Sequence, residues 1–228
     1  MSKKNKKNLL LDLDQTLICA CDVEEYKVGT DIKMDKKIDK KIFGKIIMKS
    51  DEDPKETAYT ICQRPNLDTF LDFIFENFNV SVWTAASKDY ALFVINNFIL
   101  KIDSEDKDKY KKRKLDYIFF SYHCDISKKI KRGTKDLSIL WDDFKLSGYS
   151  IDNTFIIDDH PEVYKIQTGN CIQIPEFNVL EDFSETDSDL ITIQKEFQQM
   201  IKNSESLQTN IDIINKNLIA KKKKKKKL

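Results

Sequence analysis

Leu9-Leu10-Leu11-Asp12-Leu13-Asp14-Gln15-Thr16-Leu17 decides how the rest of this 228-residue chain is read. Three successive leucines and Leu13 form the short, continuous apolar run of a strand buried on both faces. Two carboxylates, Asp12 and Asp14, stand at the end of that run. An uncompensated charge is costly away from water, so a buried strand has no structural use for them along its length. At the carboxyl end of a strand in an open α/β sheet they point into the crevice where ligands bind. Two acids there hold a hard cation and divide nucleophilic and acid–base work. A strand running into an Asp-rich turn explains these nine residues at least as well, and the strings further along decide between the two.

Outward from this stretch, strand and helix patterns alternate. Ile42–Lys49 and Ala58–Gln63 have strand character and flank the polar turn Asp51-Glu52-Asp53-Pro54, which predicts a β-hairpin. The segment from Cys19 to about Lys41 has little pattern and reads as loop. Arg64-Pro65-Asn66 opens a helix, with Asn66 as N-cap and Leu67, Phe70, Leu71, Ile74 and Phe78 as its core-facing stripe. Val80–Thr84 is the next strand, followed by a helix capped by Ser87 that buries Ala91, Leu92, Ile95, Phe98 and Ile99. Tyr117–Ser121 and Thr154–Ile157 are strands, with a short helix around Leu137–Phe144 between them, and Cys171–Ile174 is a last strand. Such alternation means βαβ units and a doubly wound parallel sheet, an α/β fold with a small hairpin insertion. A Thr186/Asp187 cap precedes an amphipathic helix through Leu190, Ile193, Phe197 and Ile201. Leu207, Ile211, Ile214 and Leu218 continue the helical spacing. The expected organisation is a basic lead at 1–8, one domain at 9–203, and a helical or disordered tail at 204–228 ending in polylysine.

Composition supports a globular chain: 40% of residues are hydrophobic, including 14 Phe and 8 Tyr. The net charge is only +1, yet Lys221–Lys227 is an unbroken lysine run, so the remainder is acidic. Nearly all the basic residues are lysines, with arginine only at 64, 113 and 132, a bias that reads as an AT-rich coding genome. Five cysteines without a C-x-x-C pair make neither a disulfide framework nor a zinc site, and buried reduced thiols in an intracellular protein are expected. No signal peptide or membrane span is legible, which predicts an intracellular protein, cytoplasmic or nuclear, without membrane contact. The lysine run is either a solvated stretch, a nucleic-acid contact or a nuclear-import signal.

Four chemistry-bearing features line up along the chain. Asp12 and Asp14 end the first strand, Thr84 ends the next buried one, Lys135 follows the strand after that, and Asp158-Asp159 end the fourth. Carboxylates, one hydroxyl and one ammonium in a single crevice suit phosphoryl transfer, which needs a nucleophile, a metal to neutralise phosphate oxygens and fixed donors for the remaining charge. Mg²⁺ is the expected cation, being hard and oxygen-seeking. Taken singly, Lys135 reads as a solvated lysine, Thr84 as a linker, Asp158-Asp159 as a turn and Arg64 as a helix anchor. His123 and His160 are too few for a metal cluster and read as structural or solvent-facing.

The strings resemble the haloacid dehalogenase superfamily, and within it the Fcp/Scp-type phosphatases that act on the C-terminal domain of RNA polymerase II. They are Leu11-Asp12-Leu13-Asp14-Gln15-Thr16-Leu17, Arg64-Pro65 leading into Leu67–Leu71, Val82-Trp83-Thr84-Ala85-Ala86-Ser87, Lys135-Asp136-Leu137-Ser138 and Ile156-Ile157-Asp158-Asp159. The resemblance spans roughly residues 9–200. It implies a Mg²⁺-dependent protein serine/threonine phosphatase, with Asp12 as nucleophile forming an aspartyl-phosphate and Asp14 as general acid and then base. It implies that Thr84 and Lys135 bind phosphoryl oxygens. Mg²⁺ would be held by Asp12, the backbone carbonyl of Asp14 and Asp158, with Asp159 as a ligand or a support behind the ligands. The implied partner is a phosphorylated protein or peptide such as that polymerase domain. No BRCT-like module is legible, and the segment Tyr122–Asp125 with its lysine cluster departs from the family pattern. The rival readings are a phosphatase for a small metabolite or a nucleic-acid terminus, and a non-catalytic phosphoprotein-binding protein. The family also has a catalytically silent branch, a binding subunit in mitochondrial import, against which the intact Asp12 and Asp14 argue.

Overall fold

The first apolar run forms strand β1 (Asn8–Leu11), the centre of a five-stranded parallel sheet. A computed structural model of the chain describes residues 6–22, 45–52, 55–181 and 184–225. The sheet order is β6 (Leu115–Phe119), β5 (Asn79–Trp83), β1, β7 (Thr154–Asp158) and β8 (Cys171–Gln173). Leu11 of β1 lies opposite Val82 of β5 and Ile157 of β7, so the carboxyl ends of all three strands finish together.

Alternate residues of a strand point to opposite faces, and β1 feeds two separate cores. Leu9 and Leu11 join the larger one, with Phe70 and Ile74 of helix α1 (Leu67–Asn77) and Ala91 and Val94 of α2 (Lys88–Val94). Leu10 joins the smaller one, with Trp83, Ile156 and Leu140 of α5 (Ser138–Asp142). Helices therefore cover both faces, as a continuous apolar run requires. Helix α2 runs on into a wider π-type turn at Ile95–Ile99, and α3 (Lys107–Tyr110) is a single turn.

The insertion after β1 is a three-stranded antiparallel sheet of order β2 (Ile18–Cys21), β4 (Thr57–Gln63), β3 (Lys45–Lys49). The expected hairpin is its β3–β4 half, the beginning at 42–44 lying outside the described residues. Strand β2 occupies residues the sequence reading gave mostly to a loop, although Cys19 and Cys21 alternate as strand residues do. All five cysteines are buried.

Several local expectations are corrected. Asn66 stands at the start of α1 in a left-handed conformation (φ 66°) and makes no side-chain cap. Ser87 makes none for α2 either, its backbone carbonyl accepting from the Ala91 N–H at 3.0 Å. The departure from the family pattern after β6 is a helix, α4 (Ser121–Lys131), whose buried side holds only Cys124 and Ser127, too little apolar surface to give a stripe. Pro161–Lys165 forms α6.

The segment from 204, expected as a tail, continues the body. Helices α7 (Asp189–Lys202) and α8 (Leu207–Lys225) place Leu190, Ile193, Phe197, Leu207, Ile211, Ile214 and Leu218 in the larger core. Asn215 of α8 also pairs with the outer strand: its amide donates to the Cys171 carbonyl at 2.9 Å and its oxygen accepts from the Gln173 N–H at 2.9 Å. A side chain thus satisfies backbone groups that an edge strand leaves open. Lys221, the first residue of the lysine run, donates to Asp189 at 2.7 Å and Thr192 at 3.0 Å.

Candidate active site

Asp12 and Thr84 sit just past the ends of parallel strands, and Asp158 is the last residue of β7. The Asp12 N–H still donates to the Ile157 carbonyl at 3.0 Å, so Asp12 is fixed by the sheet itself. The chain then turns sharply: the Leu13 carbonyl accepts from the N–H groups of Thr16, Leu17 and Ile18, and Gln15 takes a left-handed conformation (φ 59°). Thr84 follows β5, with its own N–H bonded to the Phe119 carbonyl at 3.0 Å. Its hydroxyl oxygen accepts from the Ala86 N–H at 3.1 Å, which leaves the hydroxyl proton to donate elsewhere. Lys135 enters from the turn after α4, itself in a left-handed conformation (φ 54°).

The Lys135 ammonium, almost wholly buried, bridges Asp12 Oδ1 at 2.6 Å and Asp158 Oδ2 at 2.7 Å. Burial works against its charge, but the two carboxylates outweigh burial and hold its pKa above the ordinary lysine value. Burial raises the pKa of Asp158, and the neighbouring Asp12 charge adds to the rise. Asp159 is raised for the same two reasons. The Thr16 hydroxyl lies 3.2 Å from Asp12 Oδ2 and 3.1 Å from Asp159 Oδ1, and accepts from the Asp159 N–H at 3.2 Å. Asp158 Oδ1 is held by the His160 N–H at 2.9 Å.

Asp12, Asp158 and Asp159 each present a carboxylate oxygen within 4.8 Å of the others'. Three carboxylates against one ammonium leave negative charge that a hard divalent cation neutralises, and the oxygen donor set suits Mg²⁺. The Asp14 carboxylate stands apart from this trio. Its Oδ1 accepts a 2.5 Å bond from the phenol of Tyr90 on α2. Burial pushes Asp14 up to about 6, although the Tyr90 bond favours its ionised form. A cleft of about 660 Å³ opens over Asp12, Asp14, Thr84, Lys135, Asp158 and Asp159.

The six residues singled out from sequence therefore line one cleft. Sequence reasoning alone gives Tyr90 and Thr16 no role. Tyr90 falls beside the stripe expected of its helix, and only its reach back across the fold to Asp14 distinguishes it. His123 and His160 keep local duties, each ring accepting a backbone N–H through Nδ1, from Phe120 and Glu162. Arg64 is fully buried, donating to Asp187, Asp189 and the Thr16 carbonyl at 3.0–3.1 Å.

The family model of the NLI interacting factor-like phosphatases matches residues 7–208, which includes every residue of this cleft. The chain belongs to that family. It is accordingly an enzyme of the phosphatase class, a phosphoric monoester hydrolase. The CTD phosphatase-like protein 355R of invertebrate iridescent virus 6 is 40% identical over 191 residues, covering 82% of this chain and 95% of that protein. Its counterpart in invertebrate iridescent virus 3 is 37% identical over 196 residues, with 86% and 97% covered. The fold matches that of Fcp1, described as an essential RNA polymerase II CTD phosphatase, with a TM-score of 0.50 at 17% identity. That match covers 95% of this chain and 63% of the Fcp1 chain, so this chain spans less than two thirds of that protein. Among the described residues no helix is long and apolar enough to cross a membrane.

Proposed function

We propose that this member of the family is a Mg²⁺-dependent protein serine/threonine phosphatase, CTD phosphatase-like, that works through an aspartyl-phosphate on Asp12. The observation that carries the reading is the buried Asp12–Lys135–Asp158 bridge, with Asp14 set apart and held by Tyr90. Asp12, Asp158 and Asp159, with the Asp14 backbone carbonyl, would hold Mg²⁺, which supplies neutralisation of phosphate oxygens when bound.

In the first step an Asp12 carboxylate oxygen attacks phosphorus, forming the acyl phosphate as the bond to the seryl or threonyl oxygen breaks. Asp14, protonated through its raised pKa, gives its proton to that leaving oxygen. Its carboxylate then takes a proton from the water that attacks phosphorus, and the Asp12–phosphate bond breaks to release inorganic phosphate. The Lys135 ammonium and the Thr84 hydroxyl are the fixed donors for the charge that builds on the phosphoryl oxygens in both steps. A phosphorylated protein segment is the proposed substrate; the names of the viral relatives and of Fcp1 support this.

Turnover of an aryl phosphate with and without Mg²⁺ tests the reading. Activity is expected only with the metal, Asp12→Asn is expected to abolish it, and beryllofluoride is expected to inhibit by occupying Asp12. Thr84→Ala and Lys135→Ala should each lower kcat by roughly a hundredfold. Metal-independent turnover, or an active Asp12→Asn variant, would refute the mechanism and favour a binding protein.

A further inference from the structure

Beside the phosphoryl cleft lies a second cavity of about 600 Å³, between the small antiparallel sheet and the start of α2. The two share Asp14 and Ala86, so a chain with its phosphoseryl group over Asp12 has a flanking side chain within reach of the second cavity. Its walls include Met48 of β3, Tyr59 of β4 and Tyr90, with the two tyrosine rings edge to face at 5.6 Å. At its rim stand Asp51, Glu52 and Asp89, all exposed, against one lining cation, Lys49. Among the described residues none of these three carboxylates is taken up by an ion pair, although ion pairs occur elsewhere on the surface, as between Lys165 and Glu162.

We propose that this cavity is a subsite for a lysine or arginine side chain flanking the phosphoresidue, so that the preferred substrate is a basic phosphoprotein segment. The inference rests on the phosphatase reading above and deepens it. A long cationic side chain buries its methylene stem on apolar surface and keeps its charged head at the water boundary. Aromatic and thioether walls beneath a ring of carboxylates provide both parts. An apolar side chain would use the walls alone and leave the rim unpaired. An acidic one would meet Asp51, Glu52 and Asp89 as like charges.

Tyr90 ties occupancy to chemistry. Its ring lines the subsite while its hydroxyl holds the Asp14 carboxylate at 2.5 Å. A side chain packed on that ring presses on the residue that positions the proposed proton donor. Occupancy is therefore expected in kcat as well as in KM.

The test uses matched phosphoserine peptides carrying Lys, Ala, Pro or Glu at each position from three before to three after the phosphoserine. Aryl-phosphate turnover is the internal standard for every enzyme. At one or more positions Lys should raise kcat/KM about tenfold over Ala, the scale of two or three exposed charge pairs acting together, and Glu should lower it. The preference should shrink with added salt. In Asp51→Asn/Glu52→Gln/Asp89→Asn the ratio of Lys-peptide to Ala-peptide turnover should fall to about one. Equal turnover of Lys and Ala peptides by the unaltered enzyme, a preference for Pro or Ala, or a Lys preference that survives the triple substitution would each overturn the subsite. Those results leave the phosphatase reading standing if the aryl phosphate is still hydrolysed; loss of hydrolysis of every substrate overturns both.

Discussion

Asp14 and Asp158 are both carboxyls raised by burial, yet they need opposite handling. In the proposed mechanism Asp14 must carry a proton to serve a leaving alkoxide, and burial pushes it up to about 6. With Asp14 as the acid, kcat/KM for an aryl phosphate should fall about tenfold per pH unit above roughly pH 6. Tyr90→Phe removes the bond that favours the ionised form, so the descending limb should move to higher pH; a limb that stays put would dissociate Tyr90 from the acid. In the proposed mechanism Asp158 must instead stay ionised beside Asp12, which Lys135 and the His160 N–H favour in the metal-free protein. Each of these acids binds its proton more tightly folded than unfolded. Their contribution to stability is therefore present at low pH and lost as pH rises through the folded-state values. The metal-free protein should melt lower at pH 7.5 than at pH 5.5, and saturating Mg²⁺ at pH 7.5 should raise the melting temperature by about 5 °C or more. Asp158→Asn should abolish that rise; an undiminished rise would place the metal elsewhere.

At the scale of elements, α8 shows how a C-terminal helix becomes part of the fold. Its apolar residues recur every three or four positions and complete the larger core beside α7, and Asn215 closes backbone bonds on β8. Ile211→Ala or Leu218→Ala should therefore cost about 2–4 kcal/mol in urea unfolding, as buried truncations do. Asn215→Ala should cost about 1–3 kcal/mol by stranding a carbonyl and an N–H on the outer strand. Values near zero would show that α8 docks without contributing. The helices with apolar stripes and the strands of the parallel sheet were legible because periodicity reports burial directly. Helix α4 was not, since it buries only Cys124 and Ser127 and adds just the half-buried Ile126 to the smaller core, and β2 is only four residues long. The absent caps at Asn66 and Ser87 differ in kind. Asn66 enters its helix with a left-handed backbone that an N-cap does not use, whereas Ser87 has the extended backbone of an N-cap and still makes no side-chain bond.

Across the whole molecule, the convergence of the six candidate residues on one cleft was legible because phosphoryl chemistry leaves little choice of residue type, whereas the support around them was not. Arg64 meets Asp187 and Asp189 more than 120 residues away in the chain, and no local pattern announces such a partner. Through Arg64 the loop after β1, α7 and α8 share one charge network, which Lys221 joins at Asp189. The lysine run therefore begins inside the fold and continues from it. Lys221 is committed to an internal ion pair, while Lys222–Lys227 add six charges of one sign to a body that is otherwise acidic. A run of like charges has no core-forming capacity, and its attraction to a phosphate backbone falls as salt displaces counterions. Deleting Lys222–Lys227 while keeping Lys221 should leave peptide and aryl-phosphate turnover intact and remove salt-sensitive binding to RNA or DNA. Extending the deletion to Lys221 should add a small loss of stability, about 1 kcal/mol, because Asp189 loses one partner and keeps Arg64. Nucleic-acid binding that survives the shorter deletion with its salt dependence unchanged would locate that contact on the folded body, against the acidic balance of the rest of the chain.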